Sequence, residues 1–170
     1  MNAEQMPQSL QRLQERLGRF DSLMDTTLKC HLLVEELIEL ILGRVIPTEG
    51  ALDDLQLNFS RKIALARAFS YERDSRVWTL IRALNSVRNA LVHSPDGTRD
   101  STVFDKFSAA DAPFRDAGES SDVTPFMIVA ATSVILGFLD AAARTASLDG
   151  DTLRGLRESQ KRILKKLEHQ

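Results

Sequence analysis

Apolar residues recur at helical spacing along almost the entire chain, and alternating patterns typical of strands are nearly absent. Side chains three and four positions apart share one face of a helix, so this spacing predicts amphipathic helices. The chain has 170 residues, of which 43% are apolar and 27% charged, enough to build one hydrophobic core. We therefore predict an all-α, up-and-down helical bundle that forms a single domain over residues 1–170.

Helix-ending residues divide this domain into three sections. An N-terminal helix lies within residues 1–18, because Gly18 favours the left-handed conformation that ends helices. The bundle core covers residues 20–146. An additional amphipathic helix, rich in lysine and arginine, lies within residues 150–170.

Capping residues and prolines mark the helix boundaries inside the core. Asp21 or Ser22 is a suitable N-cap, and Thr124 followed by Pro125 is a typical helix start. Pro95 excludes helical geometry for the residue before it, so one helix must end near His93. The predicted helices cover approximately residues 22–45, 58–68, 75–93 and 124–146, with a loop and one short helix across 98–121.

Charge and cysteine content limit the classes of function that the chain can have. The net charge is -2, so any nucleic-acid contact must come from a local site and not from a general basic field. The lone cysteine, Cys30, excludes an intrachain disulfide and fits a cytoplasmic protein with a buried structural thiol. The longest apolar run, residues 125–139, falls short of the roughly 20 residues that cross a bilayer, so we expect a core helix and no membrane contact.

Arg88 is the most informative residue for chemistry. On a helical wheel its guanidinium lies within an apolar stripe formed by Val77, Ile81, Leu84 and Leu91. An unpaired buried charge costs several kcal/mol, so Arg88 needs a carboxylate, backbone carbonyls or a phosphate from outside. One interpretation is a structural ion pair with Glu35 of the preceding long helix. The two roles are compatible, since Glu35 could also hold Arg88 in position for a phosphate.

His93 follows Arg88 by five positions, which in a regular helix separates the two by about 140°. Because Pro95 ends the helix, His93 can leave the helical track and approach the cleft of Arg88. The alternative is a histidine that interacts with the last helix carbonyls. Asn89 adds a neutral donor and acceptor beside Arg88, and Asn85 and Glu35 are candidate supporting residues.

His31, Glu35 and Glu39 are spaced four apart and share one helix face, a possible arrangement for metal ligands. Further ligands of suitable type and spacing do not accompany them, so we expect neither a metal nor a cofactor. Glu35 and Glu39 are interpreted as polar partners within an otherwise apolar helix.

The run from Arg88 to His93, Arg-Asn-Ala-Leu-Val-His, resembles the signature of the HEPN superfamily: Arg, a polar residue, and His after four to six intervening positions. Residues 28–39 and 57–66 also resemble segments of the mannitol operon repressor-like branch, so the resemblance extends over residues 20–145. It implies a HEPN-like bundle that forms a homodimer, with the Arg and His of both chains in a shared cleft. In catalytic members this cleft cleaves RNA without a metal. Arg88 would then stabilise phosphate charge, His93 would act as general base or acid, and Asn89 would orient the phosphate or His93.

Two functions stay open on this evidence. One is a metal-independent endoribonuclease of the toxin, defence or stress type, with RNA as substrate and an antitoxin or regulatory protein as partner. The other is a noncatalytic transcriptional regulator or interaction module of the mannitol operon repressor-like type. The intact Arg–His pair favours the first. Pro95 stands where the partnered toxin branch has a tyrosine, so silencing by nucleotide transfer to that tyrosine is not expected.

Overall fold

The computed structural model describes residues 8–17, 22–46, 54–93, 101–116 and 121–146, which contain six α-helices and no strands. The helices are α1 (Gln8–Leu17), α2 (Leu23–Val45), α3 (Phe59–Phe69), α4 (Val77–His93), α5 (Ser101–Asp111) and α6 (Pro125–Thr145). A short 3₁₀ turn, Ala112–Phe114, follows α5. The predicted all-α helical bundle is confirmed. Gly18 and the predicted helix within residues 150–170 lie outside the described residues.

Three helices begin at side-chain caps, of which Ser22 and Thr124 were indicated by the sequence. Ser22, Asn58 and Thr124 each accept a hydrogen bond from the backbone N–H three residues later, at 3.0, 3.0 and 3.2 Å. Each cap satisfies a donor that the helix itself cannot, and contributes about 1 kcal/mol. These caps explain why the predicted boundaries of α2, α3 and α6 agree with the structure within one residue or two.

A single hydrophobic core includes buried side chains from all six helices. The long α2 lies at its centre and packs against α1, α3, α4 and α6. Trp78 of α4 is the largest fully buried side chain; its ring meets the Phe138 ring edge-on at 5.3 Å, and its indole N–H donates to the Glu72 carbonyl at 3.0 Å. Burial of each such side chain contributes about 1.5–3 kcal/mol.

Among the described residues, α6 is the one helix long and apolar enough to cross a bilayer, with a mean hydropathy of 2.0. Half of its apolar window is buried inside the bundle, and a core helix passes the same test of length and composition. The helix packs along α2, its most extensive neighbour. This packing is what the sequence analysis expected of residues 125–139.

The α3–α4 pair forms a helical hairpin that carries the candidate site. Ser60 of α3 and Asn85 of α4 lie at similar distances from the connecting turn, and their side chains meet at 3.3 Å. Arg67 ties the turn by donating from Nε to the Arg73 carbonyl at 2.6 Å. The start of α3 also contacts α2, where the Phe59 ring lies 4.3 Å from the ring of His31. The hairpin therefore brings side chains of α2, α3 and α4 together.

Candidate functional site

Arg88 lies on the buried side of α4, near the C-terminal end of the helix, where the side chains become more exposed. Val77, Ile81 and Leu84 of the predicted stripe are buried, whereas Leu91 is only half-buried. Beyond it, Val92 and His93 are exposed. Arg88 itself is half-buried, so its guanidinium is reachable from outside while part of it is withdrawn from water.

The guanidinium of Arg88 has more donors than partners. Its Nη1 donates to the Asn89 side-chain oxygen at 3.0 Å. Its Nε is buried and has no hydrogen-bond partner within the described part of the chain. No ion pair there joins Arg88 to a carboxylate either. The result is a half-buried cation with an unused donor.

The structural ion pair between Arg88 and Glu35, one interpretation that the sequence left open, is not formed: Glu35 pairs with Lys62. Lys62 of α3 contacts Glu35 at 3.0 Å and also donates to Glu39. Since α3 lies alongside α2, one lysine bridges two carboxylates that are one helical turn apart. Burial alone would lower the pKa of Lys62, but its hydrogen bonds to Glu39 and Glu35 outweigh that effect and raise the pKa.

His31 of α2 lies one helical turn before Glu35 and contacts Asn85 of α4. It is 95% buried, and its Nε2 lies 3.1 Å from the side-chain oxygen of Asn85. The Asn85 amide nitrogen donates to Ser60, which leaves the amide oxygen as the acceptor for Nε2–H. Burial lowers the pKa of His31, and the charge of Arg88 adds to this, although Asn85 and Glu35 oppose it. The ring is therefore neutral at pH 7.

His93 is the last residue of α4, and the helix remains regular through it. The predicted departure of His93 from the helical track is therefore not seen. Five positions of regular helix separate its direction from that of Arg88 by about 140°. Within the described residues no contact joins the two side chains, whereas Asn89 does contact Arg88. One chain thus brings together Arg88, Asn89, Asn85 and His31, with His93 exposed at the end of the same helix.

The face considered for a metal is occupied by internal partners. The ammonium group of Lys62 lies against both Glu35 and Glu39, and His31 is engaged by Asn85. Across the described ranges, no group of three or more His, Cys, Asp or Glu side chains is arranged to hold a metal ion.

Sequence reasoning missed the contribution of α3, above all Lys62. A signal was present: Phe59, Ile63 and Ala66 form the inner stripe of α3, and Lys62 lies within that stripe. A lysine beside buried apolar positions needs a carboxylate nearby. What the pattern could not reveal is which carboxylate, because that depends on the pairing of α3 with α2.

The site can bind an anion with two or more oxygens. A guanidinium with free N–H groups matches the geometry of carboxylate and phosphate oxygens, and the neighbouring amides add neutral donors. His93 is an exposed imidazole at the end of the same helix and can donate or accept a hydrogen bond. No protein-family model, curated protein or solved structure matches the chain.

Proposed function

We propose that this protein is a HEPN-like RNA-binding protein that cleaves RNA without a metal, at a cleft formed by two copies of the chain. The observation that carries the proposal is the state of Arg88: half-buried, with an unpartnered Nε and no carboxylate partner in the described residues. Leaving a buried donor unsatisfied costs about 1–3 kcal/mol. A phosphate oxygen would remove that cost, which favours an external anion as the partner of Arg88.

The chemistry assigned to the cleft needs only groups of this chain. Arg88 binds the non-bridging oxygens of a phosphodiester and stabilises the charge that develops on them. His93 accepts the proton of the ribose 2′-hydroxyl, whose oxygen forms a bond to phosphorus while the bond to the 5′ oxygen breaks. His93 of the second copy protonates the leaving 5′ oxygen. The products are a cyclic phosphate and a free 5′-hydroxyl.

A second function is favoured by the direction of His93. Because α4 is regular to its end, His93 and Arg88 point about 140° apart and share no contact within one described chain. A noncatalytic transcriptional regulator or interaction module, of the mannitol operon repressor-like type, needs no such pair. In that function Arg88 would bind an acidic group of a partner and His93 would have no chemical role.

The decisive experiment measures cleavage of labelled RNA in EDTA by the wild type, Arg88→Ala and His93→Ala. Arg82→Ala is the matched control, because Arg82 is an exposed arginine on the same helix. We expect at least a hundredfold loss of rate for both site variants, in the range typical of lost charge stabilisation or acid–base catalysis, and little change for Arg82→Ala. Circular dichroism and sedimentation must first show that all proteins are folded and in one oligomeric state.

The ends of the products separate the two functions. Cyclic-phosphate ends that depend on both Arg88 and His93 establish the nuclease. Absence of cleavage across varied RNAs, or equal cleavage by all four proteins, rejects it and favours the interaction module. A homodimer in solution is expected for the nuclease, because one chain supplies the base and the other the acid.

A further inference from the structure

Two carboxylates lie close to a site that we assign to an anion. Glu35 and Glu39 project from the same face of α2 as His31, and His31 responds to the charge of Arg88. A free carboxylate at this place would compete with any phosphate for the guanidinium. The α2–α3 contact prevents this, because Lys62 engages both carboxylates.

We propose that Lys62 is a positioning residue for Arg88: by holding Glu35 on the α3 side of α2, it keeps the guanidinium free for an RNA phosphate. This inference rests on the proposed function of Arg88 as a phosphate ligand. It adds a role for α3, which contributes no group to the proposed reaction. It also explains why Arg88 has no acidic partner in a region where an acidic residue is near.

A released Glu35 finds no counter-charge on His31, the group beside it. One oxygen of Glu35 lies 3.9 Å from Nδ1 of His31, on the ring whose other nitrogen binds Asn85. Since Nε2 carries the proton, Nδ1 has only a lone pair and cannot donate a hydrogen bond to the carboxylate. The buried ring stays neutral, so it offers no counter-charge. The cation already acting on His31 is Arg88.

Glu39 provides the internal comparison. It shares Lys62 with Glu35 but lies one helical turn farther from His31, and it is 49% exposed against 27% for Glu35. An exposed carboxylate is better screened by water and contributes less to an ion pair. Releasing Glu39 should therefore affect Arg88 less than releasing Glu35, although both changes carry the same charge.

The test measures binding of a short fluorescein-labelled 2′-O-methyl RNA by fluorescence anisotropy, at low salt and in EDTA. This RNA keeps its phosphates but lacks the nucleophilic hydroxyl, so binding is measured apart from cleavage. The proteins are the wild type, Lys62→Met, and Lys62→Met combined with Glu35→Gln or with Glu39→Gln. Arg88→Ala with and without Lys62→Met completes the set.

We expect Lys62→Met to weaken binding about five- to tenfold, as one competing ion pair would. Adding Glu35→Gln should restore affinity to within about twofold of the wild type, whereas adding Glu39→Gln should restore little. In the Arg88→Ala background, Lys62→Met should have no further effect. A purely structural role for Lys62 would not be rescued by removing Glu35.

Other outcomes overturn the inference. Equal rescue by Glu35→Gln and Glu39→Gln would mean that net charge alone matters, and an unchanged affinity of Lys62→Met would mean that Glu35 never reaches Arg88. Absence of Arg88-dependent binding also overturns it. If the variants bind as expected but the wild type cleaves no natural RNA, the proposed nuclease activity is rejected and the role of Lys62 is retained. If Lys62→Met fails to fold, Lys62→Gln replaces it in every combination, and Lys62→Arg, which keeps the pairing, should bind like the wild type.

Discussion

Two neighbouring residues of α2, Cys30 and His31, lie in two different interfaces of that helix. Cys30 points toward α6, where α2 has its most extensive contact, and is fully buried. His31 points toward α3 and α4 and is almost as deeply buried. The two interfaces exclude water to a similar degree but satisfy their polar groups in different ways.

Two buried hydroxyls near the α2–α6 interface are satisfied within their own helices, while Arg44 of α2 donates across the interface to the Ala143 carbonyl. The hydroxyls of Thr27 and Thr132 each donate to the carbonyl four residues earlier, at 2.7 Å. Burial raises the pKa of the Cys30 thiol to about 11, although a hydrogen bond with Thr132 partly opposes this. The thiol is therefore protonated and inert, as predicted for a structural cysteine. Such an interface contributes stability, and within the described residues none of its buried side-chain donors lacks a partner.

At the interface of α2 with α3 and α4, three hydrogen bonds cross between helices: His31–Asn85, Asn85–Ser60 and Lys62–Glu35. Matching donors and acceptors between separate helices depends on their exact spacing, and here one donor of Arg88 remains unmatched. The comparison teaches that the α2–α6 interface, which we call the self-satisfied interface, holds the bundle together. The interface with α3 and α4 leaves one buried guanidinium donor without a described partner, and the proposed site rests on that donor.

The largest effect should come from the self-satisfied interface and its core. Ile135→Ala on α6 removes a fully buried side chain, and we expect a loss of about 2–5 kcal/mol in the free energy of unfolding. Phe126→Ala on the same helix is the control; because Phe126 is 71% exposed, it should change that free energy by less than about 0.5 kcal/mol. Urea denaturation measures both. Equal losses would contradict the assignment of α6 as the core helix.

Two arginines test whether the unmatched donor has a stability cost. Arg115 is 15% exposed and pairs at 3.0 Å with the buried Asp111, so Arg115→Met should lower the free energy of unfolding by about 3 kcal/mol. Arg88→Met removes a cation with no acidic partner in the described residues, so it should raise that free energy by up to about 1 kcal/mol. Urea denaturation at neutral pH compares the two. A comparable loss for Arg88→Met would show that Arg88 has a structural partner.

The neutral state of His31 predicts a pH dependence of stability. Burial lowers its folded pKa below the ordinary value of 6.5, so the unfolded chain binds the proton more readily. The wild type should therefore lose stability as the pH falls below 6.5. Above about pH 7, His31 should cause no such loss. His31→Gln keeps a donor for Asn85 but cannot titrate. The difference between the two proteins in urea denaturation should grow from pH 7 to pH 5.5; a constant difference would contradict a neutral, buried His31.

The smallest effect distinguishes the two ways of satisfying polar groups. Thr27→Val removes a hydroxyl that donates to the Leu23 carbonyl of its own helix, so we expect a loss below about 1 kcal/mol. Asn85→Leu breaks bonds to two other helices and leaves His31 and Ser60 without that partner, so we expect about 1–3 kcal/mol. Thermal unfolding of the two variants gives the comparison. Equal losses would show that polar groups bonded within a helix and between helices contribute equally to stability.

Much of the fold was predictable because helix boundaries are encoded locally. Ser22, Asn58 and Thr124 act on the backbone within three residues of themselves, so their effect is visible in the sequence. The stripe containing Ile81 and Leu84 likewise needs only the period of the helix. For the site, the sequence indicated that Asn89 lies beside Arg88, and the two side chains are hydrogen-bonded. The expectation that Arg88 requires a further partner stays a prediction, since its Nε has none within the described residues.

The sequence by itself determined which segments become helices, which faces are apolar, and that a cation lies at the edge of one such face. Only the tertiary structure decided that Lys62, and not Arg88, pairs with Glu35, and that Asn85 links His31 to Ser60. The reason is physical: caps and helical periodicity act over one or two turns, whereas these pairings depend on how α3 and α4 fold back along α2. Several acidic and basic residues could have met, and the placement of the α3–α4 hairpin selected which of them did.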